Sequence, residues 1–547
     1  MPNSKNITRR EFGAKAASIA AASLVPSHEV LPPAIVQAPA GMHDKRPLFY
    51  NYDGWTAFLY GADDTGVNKS LRHLINTQVT HLMLCPNVGQ AFICPPNAPH
   101  IEMCHLGKTP SPNELADFAR SSWGDGGELI NAAARVVKRW DVDKYDAFGA
   151  MIKVATRQKL KVFISLRLND RHTLDTQPEG PYSDAFYRDH GKQWGTGRQT
   201  LSFVHKEVRE HRINQIDTLL KSYPSVRGIE LDFLRNEPYC KPEERDELRE
   251  SMNDFVFGAA TVVAAINTKR DKDNALQIMV RVPFSIQACE EIGLDPVTWA
   301  INGWVDAITL SHFLRQSADL QIEQFKAFLL EAGIQNVPVY GCLDCLLSQS
   351  KSNAGHPTQN RWVTPESYRG IGSALYARGA DGLYLYNMYA ARTESDAMRH
   401  DDPFEILKQL GDPKALESRT RLSLASFYDD LDEGFERPAP RKPADVSVVR
   451  ATLIIGVPAG TYVLRVVGKR LDPAGTRVKI NSHRLASGIR AAQQTLYREA
   501  YNQLKPPLAD CLDFDVDIAA LRPGVNLIKI EGAGKPLRIY GVELAGH

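Results

Sequence analysis

Hydrophobic positions in the middle of the chain follow two periods, one typical of β-strands and one typical of amphipathic helices. From residue 46 onward, short apolar runs rich in β-branched and aromatic residues recur, and each is followed by a segment with helical spacing. The pattern predicts eight strands, at 48–53, 81–85, 162–168, 228–233, 277–282, 307–311, 337–341 and 382–386. It predicts helices between them, among them 143–158, 208–222, 242–267, 321–332 and 365–378.

Strands that alternate with helices pair in parallel, so residues 46–415 are predicted to form a (β/α)8 TIM barrel of the α/β class. The alternative is a doubly wound open sheet, which normally carries a glycine-rich phosphate-binding turn after its first strand. Residues 51–55 read Asn-Tyr-Asp-Gly-Trp, which is not such a turn. The barrel is therefore the preferred interpretation.

The pattern changes after residue 415. Residues 416–447 are acidic and then proline-rich, and are predicted to be a linker. Short runs of strand type follow, separated by turn residues, at 450–457, 461–467, 477–480, 514–518, 526–531 and 537–544. They predict a C-terminal all-β sandwich, jelly-roll-like, over residues 448–547. Within it, residues 484–505 are expected to form a long loop or one helix.

The N-terminus has the features of an export signal. Arg9 and Arg10 are followed by Phe12 and Lys15, and residues 16–25 form a short, weakly apolar run. This arrangement is typical of a signal peptide and resembles the twin-arginine type, the alternative being an amphipathic helix with a chance arginine pair. We expect residues 1–45 to be signal and spacer, the twin-arginine export machinery to be a partner, and the location to be periplasmic or extracellular.

Composition narrows the classes of function. The 547 residues carry 65 Lys and Arg against 64 Asp and Glu, a net charge of +1, which argues against nucleic acid as a partner. Hydrophobic residues make up 43% and charged residues 24%, which excludes a disordered or coiled-coil chain. No apolar run reaches the roughly 18 residues that predict a stable membrane span. A large soluble enzyme is the expectation that remains.

The cysteines add no metal or cofactor to this picture. They are scattered, at Cys85, Cys94, Cys104, Cys240, Cys289, Cys342, Cys345 and Cys511. Cys342 and Cys345 have CxxC spacing, but no second pair or histidine completes a zinc site. Buried thiols are the preferred interpretation and one or two disulfides the alternative. Neither a metal ion nor a cofactor is expected.

The fourth predicted strand carries the strongest candidate chemistry. In Gly-Ile-Glu-Leu-Asp-Phe, Glu230 and Asp232 share the face opposite the apolar residues, so both carboxylates should point into the barrel. Two close carboxylates push one pKa upward, which prepares one proton donor and one ionised group. The alternative is a structural pair neutralised by inward arginines such as Arg281 on the next strand.

Barrel active sites form at the carboxyl ends of the strands, and further candidates follow from that rule. Asp344, after the seventh strand, is paired with a fourth-strand acid as the preferred catalytic set, because glycosidic cleavage needs carboxyl groups on both sides of a cleft. The alternative for Asp344 is a loop cap. The candidate substrate-binding residues are Asp53, Trp55, Arg167, Asn169, Asp170, His172, Arg235, Arg281, His312, Tyr386 and Asn387.

A family resemblance rests on three segments. They are Ser-Leu-Arg-Leu-Asn-Asp-Arg-His at 165–172, Gly-Ile-Glu-Leu-Asp-Phe-Leu-Arg at 228–235 and Gly-Ala-Asp-Gly-Leu-Tyr-Leu-Tyr-Asn at 379–387. With them, residues 46–410 resemble exported bacterial barrel proteins of glycoside-hydrolase type that carry an appended β-sandwich. The resemblance implies cleavage of a poly- or oligosaccharide. The chain departs from retaining barrel enzymes that carry glutamates after both the fourth and the seventh strand, so it leaves the nucleophile open.

Two other functions stay open on the sequence alone. One is a glycan-binding protein with an inactive barrel, in which the carboxylates only bind hydroxyl groups. The other is a lyase acting on uronic-acid glycans, with Arg167 and Arg281 holding the substrate carboxylate.

Overall fold

A computed structural model describes residues 45–52, 57–58, 60–95, 100–104, 126–171, 174, 180, 182–313, 316–350, 359–388, 404–426, 447–491, 510–534 and 536–547. The predicted export signal lies outside the described residues and stays a prediction. Among the described residues, no helix combines the length and the apolar character that crossing a membrane requires.

The described strands are Leu48–Tyr52 (β1), His81–Leu84 (β2), Asn87–Val88 (β3), Ala91–Phe92 (β4), Lys161–Arg167 (β5), Gly228–Asp232 (β6), Gln277–Pro283 (β7), Ala307–Ser311 (β8), Val339–Asp344 (β9), Leu346–Ser350 (β10), Gln359–Trp362 (β11), Leu383–Tyr386 (β12), Arg421–Ser426 (β13), Val448–Ile455 (β14), Tyr462–Lys469 (β15), Thr476–Ile480 (β16), His483–Arg484 (β17), Ile489–Arg490 (β18), Asp510–Val516 (β19), Gly524–Gly532 (β20) and Arg538–Gly546 (β21).

The described α-helices are Asp64–Leu71 (α1), Gly126–Asp143 (α2), Ala147–Arg157 (α3), Ala185–Trp194 (α4), Lys206–Ser222 (α5), Arg245–Asn267 (α6), Ile286–Glu291 (α7), Pro296–Ile301 (α8), Ile322–Glu331 (α9), Pro365–Ala377 (α10) and Pro413–Glu417 (α11).

Eight parallel strands close into a barrel in the order β1-β12-β9-β8-β7-β6-β5-β2. These are the eight strands expected from the sequence, and the predicted TIM barrel is confirmed. The register places Glu230 between Ser165 of β5 and Met279 of β7, and it places Asp232 between Arg167 and Arg281. Because side chains alternate along a strand, this register determines which groups meet inside the barrel.

Aromatic side chains fill the amino-terminal half of the barrel interior. Phe49 of β1 stacks on His81 with ring centroids 4.3 Å apart and contacts Tyr340 of β9 at 4.5 Å. Phe163 of β5 belongs to the same buried inner cluster. Polar side chains occupy the carboxyl-terminal half instead, and we call this end of the barrel interior the mouth. The interior is thus apolar at its amino-terminal end and polar at the mouth.

The C-terminal part consists of two antiparallel sheets, ordered β13-β21-β15-β19-β18 and β14-β20-β16-β17. They share one hydrophobic core that includes Leu453, Leu464 and Ile528. The predicted all-β domain is therefore confirmed. Strand β13 lies within residues 416–447, which the sequence analysis assigns to a linker, and it pairs with the last strand, β21.

Glycines allow the barrel and the all-β domain to pack closely. In α10, a Cβ at Gly370 would overlap the carbonyl oxygen of Leu422 in β13. At Gly456, just after β14, a Cβ would overlap the side chain of Ser373 in α10. Helix α10 thus forms one side of the barrel wall and also supports the second domain.

Candidate active site

Glu230 lies on the inner face of β6, fully buried. Its Oε1 accepts a hydrogen bond from Ser165 Oγ at 2.7 Å and another from the Tyr384 hydroxyl at 2.8 Å. Asn51 Nδ2 donates in turn to the Tyr384 oxygen at 3.0 Å. The residues that hold this carboxyl therefore come from β5, which is next to β6, and from β12 and β1 on the other side of the barrel.

The electrostatic surroundings of Glu230 favour its protonated form. Burial, reinforced by the negative charge of Asp232, raises the pKa of Glu230 from 4.5 to about 7, although Ser165, Arg281 and Tyr384 act in the opposite direction. Its Oε2 is buried and has no hydrogen-bond partner among the described residues. Since Oε1 already accepts two hydrogen bonds, the proton of the neutral acid belongs on Oε2, where it can be donated.

Asp232 has the opposite surroundings, although it lies only two residues further along β6. Arg281 of β7 donates from Nε to Oδ1 at 3.0 Å and from Nη2 to Oδ2 at 3.1 Å, and both side chains are buried. The Leu234 backbone amide adds a hydrogen bond to Oδ1 at 3.0 Å. Arg281 thus compensates the charge of the Asp232 carboxylate through a bidentate pair of hydrogen bonds.

Arg281 is itself held from three sides. Its Nη1 donates to Ser311 Oγ at 2.9 Å, and its guanidinium carbon lies 3.9 Å from the ring centroid of Tyr386. The structure thus brings together three predicted site residues, Asp232, Arg281 and Tyr386. Arg281 is also the inward arginine expected under the structural alternative for the Glu230 and Asp232 pair.

Asp344 is the last residue of β9 and is buried. Tyr340 and Cys342, which alternate with it along the strand, belong to the inner cluster, so Asp344 shares the inward phase. It is in register with Tyr386 of β12. Strand β9 is the third strand around the barrel from β6, which places Asp344 across the mouth from Glu230 and Asp232. Burial raises the pKa of the Cys342 thiol to about 12, so this neighbour remains protonated.

A second group of predicted residues gathers on another side of the mouth. The carboxylate of Asp170 is 3.4 Å from Arg167 Nη1 and 3.8 Å from Arg235 Nη2. Arg235 also donates to the Tyr386 hydroxyl at 2.9 Å and lies over the ring of Phe313. Arg235 therefore links the Asp170 group to the Arg281 group through one tyrosine.

Other predicted residues have separate surroundings. The Asn169 amide is used by loop backbone, donating to the carbonyl oxygens of Leu201 and Pro238 and accepting from the Leu201 amide. His312 Nε2 pairs with Asp319 at 2.5 Å, and its ring stacks on Phe284.

Asn387 follows β12 with a positive φ of 55° and is buried. Asp53, Trp55 and His172 lie outside the described residues.

Sequence reasoning missed several residues that support the mouth. Asn87 exchanges hydrogen bonds with the backbone of Arg167, and Gln90 Nε2 donates to the Asp170 carbonyl at 2.7 Å. Tyr384 could have been predicted from the sequence, because it lies two residues before the predicted Tyr386 on the same strand and therefore shares its face. Nothing local indicates Asn87 and Gln90, which lie in β3 and the turn after it. In the described part of the chain, no group of three or more His, Cys, Asp or Glu is placed to hold a metal ion.

No family model and no curated protein matches this sequence. Among solved structures, a chitinase from a Paenibacillus species is 12% identical with a TM-score of 0.38, and the match covers 90% of this chain and 54% of that one. This chain thus spans about half of that chitinase. The catalytic domain of chitinase B from an Arthrobacter species is 13% identical with a TM-score of 0.38, covering 68% of this chain and 95% of the other.

A putative α-L-fucosidase from Bacteroides thetaiotaomicron is 9% identical, with a TM-score of 0.31 and coverage of 90% and 95%. These structural neighbours are glycoside hydrolases, but similarity at this level says nothing about the activity of this chain. Its own strand order and inner residues define the class: a TIM-barrel protein with a polar, carboxylate-bearing mouth and an appended all-β domain.

Proposed function

We propose that the protein is a glycoside hydrolase in which Glu230 donates the proton and Asp344 is the second carboxylate. The observation that carries the proposal is the neutral Glu230, whose pKa is raised to about 7 and whose Oε2 has no hydrogen-bond partner among the described residues. A general acid needs a pKa near the working pH, because it must hold its proton and still release it in the transition state.

The neighbouring ion pair has a supporting role in this proposal. Asp232, which is paired with Arg281, contributes negative charge that raises the pKa of Glu230 and so helps to hold its proton. Glu230 would protonate the departing glycosidic oxygen. Asp344, across the mouth, would attack the sugar or activate a water molecule. Asp232 is therefore a positioning residue and not the group that meets the substrate.

The test is release of sugars from a broad polysaccharide panel, followed by chromatography, with Glu230→Gln and Asp344→Asn. Each variant should lower kcat by about 10²- to 10⁴-fold, the usual worth of a positioned acid or base. Wild-type activity should fall as the pH rises above about 7, where Glu230 loses its proton. Asp306→Asn is the matched control, because this carboxylate binds the Ile278 backbone amide at the amino-terminal end of the barrel.

Full activity in both Glu230→Gln and Asp344→Asn would contradict the proposal. The control variant should keep wild-type activity, and circular dichroism should show the same fold for all three.

A second candidate, a non-catalytic glycan-binding barrel, is favoured by the burial of all three acids. Glu230, Asp232 and Asp344 are each at most 1% exposed, and both oxygens of Asp232 are occupied by Arg281. This candidate requires saturable glycan binding by the wild-type protein without any released product across the same panel.

The lyase alternative requires Arg167 and Arg281 to hold a substrate carboxylate, but Arg281 is already paired with Asp232. Arg281 directs Nε and Nη2 to Asp232 and Nη1 to Ser311, so it has little left to hold a substrate carboxylate. Products that absorb in the ultraviolet, typical of an unsaturated sugar ring, would nevertheless establish a lyase.

A further inference from the structure

The outward face of one sheet of the all-β domain carries an unbroken row of cations. Arg450 of β14 is in register with Lys529 of β20, which is in register with Lys479 of β16, which is in register with Arg484 of β17. We call these four residues the basic row. With neighbouring strands about 4.8 Å apart, the row extends roughly 14 Å across the sheet.

The phase of these strands fixes the direction of the basic row. Ile528 and Ile530, on either side of Lys529, are buried in the shared core, and so are Val478 and Ile480 on either side of Lys479. The four cationic side chains must therefore point away from the core. Arg450 and Arg484 are exposed, and Lys479 and Lys529 are half-buried.

Little negative charge balances the row on this face. Arg477 adds a fifth cation, and among the outward positions of β14, β16, β17 and β20 the sole carboxylate is Glu531. Glu531 lies 2.6 Å from Lys529 Nζ. Five cations against one anion leave a local charge of +4, whereas the whole chain carries only +1.

Like charges directly opposite one another on neighbouring strands destabilise a sheet. Three successive pairs, Arg450–Lys529, Lys529–Lys479 and Lys479–Arg484, have that arrangement. Such a row is costly for folding alone, and a bound chain with regularly spaced negative charges would relieve the repulsion. We propose that this face of the all-β domain binds a polyuronate, a polysaccharide with carboxylate groups along its length.

The choice of a carboxylate follows from Glu531. Its carboxylate already lies beside Lys529, with Lys479 and Arg477 close enough to contribute to the lowering of its pKa. The contact of Glu531 with Lys529 therefore shows the basic row binding a carboxylate, the charged group that a polyuronate carries.

The choice of a polysaccharide follows from the neighbouring residues. Leu527 and Val525 lie next to the row on β20 and are exposed, which offers an apolar surface to the C–H faces of sugar rings. The outward positions of the four strands carry no aromatic side chain, whereas proteins that bind single-stranded nucleic acid stack the bases on aromatic rings.

This inference goes beyond the proposed hydrolase, because the basic row belongs to the other domain and uses none of the barrel residues. Binding is measured with Glu230→Gln protein, so that cleavage of the polymer cannot distort the result. Failure of one proposal is then distinguishable from failure of the other.

The experiment is calorimetric titration of the full chain with polygalacturonate in 20 mM and 500 mM NaCl. The test variant is Lys479→Gln/Arg484→Gln, which removes two cations of the row and leaves the Lys529–Glu531 pair in place. Lys269→Gln/Lys272→Gln is the control, with the same change of charge at exposed positions by the end of α6. Binding should weaken with salt, because ions screen exposed charges. It should weaken about tenfold or more in the test variant and stay unchanged in the control.

The thermal midpoint of the test variant should not fall, since the substitutions relieve repulsion. Four results would overturn the proposal: no binding of polygalacturonate by the folded protein, equal binding of a neutral polysaccharide, equal binding in the test variant, or tighter binding of dextran sulfate, duplex DNA or phosphatidylglycerol vesicles.

Discussion

Arg281→Met removes the partner of a buried carboxylate and tests the central ion pair of the barrel. The substitution keeps most of the aliphatic volume but eliminates two hydrogen bonds to Asp232, one to Ser311 and the contact with the Tyr386 ring. Because both charged side chains are inaccessible to solvent, removing one leaves a desolvated charge with no counter-ion. The free energy of unfolding should fall by about 3–5 kcal/mol.

Asp232→Asn should cost a similar amount, because it leaves Arg281 buried and uncompensated. The double variant Arg281→Met/Asp232→Asn removes both charges and should cost less than the two single variants together, by about 2–3 kcal/mol. Arg249→Met is the control, since the Arg249 side chain that pairs with Asp295 is 54% exposed, and ion pairs open to solvent contribute about 1 kcal/mol or less.

Guanidinium unfolding followed by tryptophan fluorescence measures these differences for the barrel alone. All seven tryptophans precede residue 415, and none lies in the all-β domain. The reasoning would be refuted if Arg281→Met cost no more than Arg249→Met, or if the two single effects added up to the effect of the double variant.

Two further predictions follow from the barrel interior and from its contact with the second domain. Because the pKa of Glu230 is raised to about 7, the native state binds this proton more tightly than the unfolded chain. The resulting stability is complete below about pH 4.5 and is lost as the pH rises through 7, so wild type should lose about 3 kcal/mol relative to Glu230→Gln over that range in parallel guanidinium titrations. Gly370→Ala should lower the free energy of unfolding by about 1–3 kcal/mol, and the thermal midpoint with it, because the added Cβ would overlap the backbone of Leu422. Gly372→Ala on the same helix meets only leucine side chains at 3.2 Å or more and should be tolerated in the same calorimetric scan.

The barrel could be predicted from the sequence because each strand is a local pattern. The strand at 307–311 has the predicted bounds, while β9 runs three residues past its predicted end, to Asp344. The extension depends on pairing of β9 with β12 and not on composition. Strand β13 was missed for the same reason, since its partner β21 is the last strand of the chain.

The candidate site could be predicted only in part. Alternation along β6 was enough to direct Glu230 and Asp232 inward, but alternation says nothing about what lies opposite. One of the two hydroxyls that bind Glu230 belongs to Tyr384, 154 residues further along the chain, and closure of the barrel brings it there. Contacts of this kind depend on the stagger of all eight strands, which no local pattern contains.

The register of two neighbouring strands explains why the two carboxylates of β6 differ. Asp232 is opposite Arg281, whereas Glu230 is opposite Met279, so the single cation of β7 compensates only the upper acid. The uncompensated acid, Glu230, is buried and keeps a proton near neutral pH, and the negative charge of Asp232 helps to retain that proton. Since Arg281 also lowers the pKa of Glu230, its removal would raise that pKa further and shift the acid out of the neutral range. The ion pair is therefore a determinant both of barrel stability and of the pH at which Glu230 can act as an acid.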